Sequence, residues 1–177
     1  MKLTTILHLL LLLAMFSIEL VSAQANISED SELNNELNYL KAEAMTMHLQ
    51  ACELGQAKSC MIVGSMYFKG EGVQQNFAKA VFPLTRACNQ GEIRGCTLLA
   101  KLYERGDGVA QDFIKAIQLY QKSCHAGDSM SCRELAQLYE KQQNVAKAIE
   151  FYQQGCNADD HFSCQQLLQN YRFSAEP

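Results

Sequence analysis

The chain has 177 residues, a formal net charge of −4, 48% hydrophobic and 19% charged residues, and eight cysteines. Its 15 lysines and arginines are spread along the sequence and outnumbered by 19 carboxylates. This excludes the clustered basic footprint that nucleic acid or an anionic membrane surface requires.

The chain opens with Lys2 and then an apolar run from Ile6 to Phe16, interrupted only by His8 and followed by Val21-Ser22-Ala23. A basic end, a short apolar run and small residues make a secretory signal peptide over residues 1–23, cleaved after Ala23. The residue immediately after the cut is Gln24 and not a cysteine, so no lipid anchor is expected. Residues 24–51 form a leader and a capping helix, with Leu33, Leu37, Leu40, Ala44, Met47 and Ala51 as one apolar stripe.

From Cys52 onward the chain repeats itself. Two cysteines bracket seven residues at Cys52–Cys60, Cys88–Cys96, Cys124–Cys132 and Cys156–Cys164. The frames start at 52, 88, 124 and 156, so the spacing is 36 residues twice and then 32. A glycine stands three places after the first cysteine (Gly55, Gly91, Gly127), replaced by Asp159 in the last frame. A period of this length marks a solenoid or a related array. The repeats run 52–87, 88–123 and 124–155, with a terminal half-repeat at 156–177.

Each period predicts two helices. Helix A follows the second cysteine, with Cys60, Val63, Gly64 and Tyr67 at helical spacing in the first repeat, and closes at Gly70 or Gly106. Helix B starts after Asn76, Asp112 or Asn144, residues whose side chains accept from first-turn amides. It carries Lys79-Ala80, Lys115-Ala116 or Lys147-Ala148, the lysines being read as a solvated face. Pro83 falls inside one helix B and predicts a kink there. The third repeat is four residues shorter, with Lys141-Gln142-Gln143 where the others carry a glycine-valine loop.

An even cysteine count in an exported chain argues for disulfides. Pairing within each frame is the simplest connectivity, although eight cysteines allow about a hundred pairings and spacing alone does not choose. The separations do not suit structural zinc, and no C-x-x-C pair suggests redox chemistry.

The stretch from Leu99 to Ala116, with its Gly106-Asp107-Gly108-Val109 loop, the Gln111-Asp112 pair and the Lys115-Ala116 pair, resembles the Sel-one-like repeat, a relative of the tetratricopeptide repeat. The likeness covers about residues 52–173. The paired cysteines narrow it to the secreted, cysteine-rich bacterial members (Hcp-type). The resemblance implies an all-α, right-handed α/α solenoid of helix-turn-helix repeats clamped by disulfides. It also implies a scaffold for partner proteins, and for some members slow beta-lactamase activity.

No catalytic, cofactor-binding or metal-binding constellation is expected. The serine beta-lactamase signatures S-x-x-K, S-D-N and K-T-G are missing. His48, His125 and His161 fall in three different registers and read as surface histidines. Met45, Met47, Met61 and Met66 read as core filling. A partner-binding surface is expected on helix A, at Met61, Ser65 and Phe68, then Thr97, Lys101 and Glu104, then Arg133, Gln137 and Glu140. The expected function is a periplasmic or secreted protein-interaction scaffold holding a segment of an envelope, secretion-system or host protein. The alternative is a weak beta-lactam-binding or beta-lactamase-like protein acting on peptidoglycan-related substrates.

Overall fold

The computed structural model describes residues 32–37 and 39–170. The expected signal peptide and most of the leader lie outside them, as do Tyr171 and Phe173 at the end of the repeat array. The chain divides into two units, 1–43 and 44–177. Residues 32–37 and 39–43 of the first are helical, with Leu33, Leu37 and Leu40 exposed.

The second unit is an all-α, right-handed solenoid of helix-turn-helix repeats clamped by disulfides. It opens with helical residues 44–53 (α1). There follow α2 (Ala57–Lys69), α3 (Phe77–Asn89), α4 (Ile93–Arg105), α5 (Phe113–His125), α6 (Ser129–Lys141), α7 (Val145–Asn157) and α8 (His161–Asn170). The even-numbered members are A helices and the odd-numbered ones B helices.

Short-range chemistry sets the boundaries. Asn76, Asp112 and Asn144 are N-caps whose side chains accept from the amides of Lys79, Lys115 and Lys147. Gly70 (φ 77°) and Gly106 (φ 76°) end α2 and α4 in the left-handed conformation. The Gln75 and Gln111 side chains then donate back to the carbonyls of Phe68 and Glu104, at 2.9 and 2.8 Å. This gives the repeated Gln-Asn/Asp pair a physical role: its first member caps the outgoing helix and its second caps the incoming one. Helices α2 to α7 all have 13 residues. The four residues missing from the third repeat therefore come from the connection alone, which is 142–144 where the other repeats use 70–76 and 106–112.

The cysteines pair within each frame, as Cys52–Cys60, Cys88–Cys96, Cys124–Cys132 and Cys156–Cys164. Each bond ties a B helix to the A helix that follows it, at Cα separations of 4.5 to 4.7 Å. The residues before the cysteines are small because the backbones approach closely. A methyl on Gly95 would stand 2.9 Å from the Ala87 Cβ, and one on Gly155 would stand 2.6 Å from the Ser163 Oγ.

Two expectations change. In α1 it is Met45 (6% exposed) that faces the core, beside Val63 and Met66, while Met47 is 63% exposed. Cys52 must face Cys60, and this fixes the helix phase. Residues 45, 48 and 52 share that face at helical spacing, and 47 is rotated away from it. Of the four methionines read as core, Met45 and Met66 are buried, and Met61 is half-buried. The repeated lysines are more than a solvated face. Lys79, Lys115 and Lys147 stand over the rings of Tyr67, Tyr103 and Tyr139, at 5.8, 4.2 and 4.9 Å. Pro83 is buried within the continuous helix α3.

Candidate partner-binding groove

Five of the nine expected binding residues come together. Met61, Ser65 and Phe68 of α2 and Thr97 and Lys101 of α4 line one groove of about 590 Å³. Ile62, Leu98 and Met130 supply apolar wall and Lys69, Arg94, Glu71 and Asp128 supply charge. The groove thus crosses successive A helices and ends at the first turn of α6.

Glu104, Arg133, Gln137 and Glu140 do not line this cavity, and three of them have work within the array. Arg133 Nη1 donates to Asp160 Oδ1 at 2.9 Å, and Asp160 also accepts from the Ser163 amide and hydroxyl at the start of α8. One repeat earlier, Thr97 occupies the place of Arg133 and Asp128 the place of Asp160. Thr97 is 5% exposed, and its hydroxyl is within 3.0 Å of Asp128 Oδ2 and 2.9 Å of Ser131 Oγ. Asp128 caps α6 through the Ser131 amide. In α4 and α6 the residue after the second cysteine therefore fastens the A helix to the N-cap of the next. Thr97 was expected at the surface, but the hydroxyl cluster at this cap draws it inward.

Lys101 also spans repeats, with its Nζ 2.9 Å from Glu134 Oε1. Phe68 is half-buried and packs edge-on against Phe77 with ring centroids 5.5 Å apart. Both still border the groove, but neither is a free surface side chain.

Glu104 and Glu140 serve the interior. Glu104 accepts a hydrogen bond from the fully buried Tyr120 hydroxyl at 2.9 Å, and Glu140 accepts from Tyr152 at 2.7 Å. The first repeat carries Phe68 and Leu84 at the same two positions. One repeat thus satisfies the site with an apolar pair and two satisfy it with a carboxylate and a phenol. Burial, and then the neighbouring Glu104 carboxylate, push the Tyr120 hydroxyl well above the ordinary phenol range. Replacing Glu104 with leucine should cost about 1–3 kcal/mol, because it leaves a buried hydroxyl without an acceptor. Adding Tyr120→Phe should recover part of that loss in urea titrations. The raised Tyr120 value also makes stability fall as pH rises past the unfolded phenol value of about 10, since the unfolded chain ionises first. Tyr120→Phe should flatten that limb of the pH profile.

Sequence reading missed Arg94, Leu98 and Met130. Arg94 and Met130 are equivalent positions one repeat apart, two residues before the second cysteine. They lie one turn before Thr97 and its counterpart, so the spacing 94, 97, 101 could have placed Arg94 on the same face. The nearness of Met130 to Lys101, 3.8 Å from Sδ to Nζ, depends on how neighbouring repeats stack.

The Sel1 repeat model matches residues 57–92, 93–128 and 129–160. Among solved structures, the chain is similar to a Sel1 repeat protein from Oxalobacter formigenes, with 24% identity, a TM-score of 0.64 and coverage of 70% of this chain and 52% of that one. It is also similar to a protective antigen of uropathogenic Escherichia coli strains displaying an SLR fold (25%, TM-score 0.65, coverage 73% and 29%). Helicobacter pylori cysteine rich protein B is a third similar structure (25%, TM-score 0.57, coverage 72% and 95%). The chain spans about half the length of the first of these and under a third of the second. No curated protein matches the chain.

Proposed function

The chain belongs to the Sel1 repeat family, and on that premise we propose that it is an extracytoplasmic scaffold that holds a segment of a partner protein across its A helices. Four disulfides support an oxidising compartment. No helix among the described residues is long and apolar enough to cross a membrane.

The groove's chemistry is the observation that carries this reading. Met61, Phe68, Leu98 and Met130 offer adaptable apolar contact, and thioether side chains suit surfaces that must mould to a partner. Most of the charge beside them is already committed. Lys69 pairs with Glu71 at 3.4 Å, Lys101 with Glu134, and Asp128 with the α6 cap. Arg94 is exposed and makes no ion pair among the described residues. The segment that fits is therefore apolar with one carboxylate set to meet Arg94, lying across the helices in the manner of groove recognition.

Arg94→Glu with Met130→Asp is the variant to test, because both side chains are exposed and neither takes part in an ion pair between repeats among the described residues. Charge reversal at Lys101 or Arg133 would instead break ion pairs between repeats. Peptides selected from a displayed library on the oxidised protein should share an acidic-apolar pattern. They should bind the double variant at least about tenfold more weakly, about 1.4 kcal/mol, with the thermal midpoint unchanged. Equal binding to both proteins would place the recognition surface elsewhere.

A further inference from the structure

The third repeat's shortened connection leaves an empty seat on the second repeat. In the second repeat, the Gly106–Val109 loop reaches back onto the start of α3. Gly108 (φ 70°) lies so close that a Cβ on it would stand 2.4 Å from the Ala78 nitrogen and 2.5 Å from the Phe77 carbonyl carbon. Phe77 beneath it is half-buried. One repeat further on, Phe113 and Ile114 occupy the places of Phe77 and Ala78, and the loop that would cover them is the one the third repeat lacks. Phe113 is 44% exposed and Ile114 is 72% exposed. A hollow of about 650 Å³ opens over them, lined also by Tyr103, Val109 and Asp112.

The geometry points to this hollow as a second docking site, for a tight glycine turn followed by an aliphatic residue on a partner protein. The chain itself shows what fits. The seat over α3 takes Gly-Asp-Gly-Val, with a glycine against helix backbone where no side chain can enter. The seat over α5 keeps the same order of elements, with Tyr103, Val109, the cap Asp112 and then Phe113-Ile114 where the seat over α3 has Tyr67, Val73, the cap Asn76 and then Phe77-Ala78. The Gly106–Val109 loop of another copy is already engaged on its own α3, and Val73 of the Gly70–Val73 loop is packed against Met45, Val63 and Met66, so a partner's turn is the fitting occupant. The site stands apart from the groove across the A helices, and its lining shares no residue with it.

The probe is a cyclic peptide carrying residues 105–111, Arg-Gly-Asp-Gly-Val-Ala-Gln, titrated into the oxidised protein while amide shifts are followed by NMR. Saturable shifts centred on 109–114 are expected. The peptide with alanine in place of its second glycine should bind at least about tenfold more weakly, and so should the variant Ile114→Asp, whose exposed position leaves folding intact. Replacing Lys141–Gln143 with the seven residues of 105–111 restores the missing loop; it should abolish peptide binding and raise the thermal midpoint. Absence of saturable shifts overturns the proposal, as does binding indifferent to the glycine or to Ile114→Asp. Self-association in sedimentation that Ile114→Asp abolishes would overturn it in favour of a second copy.

Discussion

Reduced and alkylated, the protein is expected to lose its cooperative thermal transition and most of its helical circular dichroism at 37 °C, while the oxidised protein keeps both. Each bridge closes a short loop of sequence separation 8. In the loop-entropy account such a closure stabilises by roughly 2.5 kcal/mol, so four contribute on the order of 10 kcal/mol. The whole net stability of a domain is about 5–15 kcal/mol. The core is poorly placed to make up the loss, because Ala80, Ala87, Ala100, Ala116, Ala136 and Ala148 hold many of its fully buried positions. A buried methyl contributes far less than a buried leucine or phenylalanine. The bridges also sit where they matter most for a linear array. Each joins a B helix to the next A helix, the step by which one repeat hands its order to its neighbour. Alkylated protein that retained full helicity and a sharp transition would show that side-chain packing alone carries the array. The central pair tested alone, Cys88→Ala with Cys96→Ala, should cost about 3 kcal/mol or somewhat more, since both sulfurs are buried and their loss leaves a void.

What the sequence discloses here is local chemistry. The caps at Asn76, Asp112 and Asn144, the left-handed glycines at 70 and 106, and the helical spacing of each period depend on residues within a few positions of one another. They are repeated, which makes the pattern unambiguous. Contacts between repeats are harder to see. Thr97 with Asp128, Arg133 with Asp160 and Lys101 with Glu134 each join residues about one period apart, and nothing in a single repeat marks them. Thr97 and Arg133 look like surface residues until the next N-cap is stacked beside them. The pairs Glu104–Tyr120 and Glu140–Tyr152 lie between these cases. Aligned repeats show phenylalanine with leucine at these positions once and glutamate with tyrosine twice. Such a joint change is the mark of two side chains that touch. Of the candidate site, Met61, Ser65, Phe68 and Lys101 were legible from helix phase. Met130 was not, because its place in the groove is decided by the stacking of α6 on α4. The seat over α5 is a special case, since the sequence shows the deletion plainly while the exposed Phe113 and Ile114 it leaves behind belong to the repeat before.

The second large effect is expected at Gly108, and it separates two reasons for a glycine. Gly108 and Gly127 both have positive φ, 70° and 90°. A Cβ on Gly127 would meet nothing within 4 Å, whereas one on Gly108 would be driven into the backbone of Phe77 and Ala78. Gly127→Ala should therefore cost only the conformational penalty, about 1 kcal/mol. The chain shows that this position tolerates a side chain, because Asp159 stands in the equivalent place at φ 63°. Gly108→Ala carries the same penalty and must also push the loop off α3, because neither partner atom belongs to a side chain that could swing aside. A loss of about 3 kcal/mol or more is expected, in the range of strained and overpacked sites. The displaced loop also carries Val109, which packs with the cluster of Ala80, Leu84, Leu99 and Leu102. The damage should therefore fall at the junction of the first two repeats. Amide exchange would show it as lost protection in α3 and α4 with α6 and α7 little changed. Equal losses for Gly108→Ala and Gly127→Ala would mean that the loop is free to move. The close seat over Phe77 would then not be what holds these repeats together.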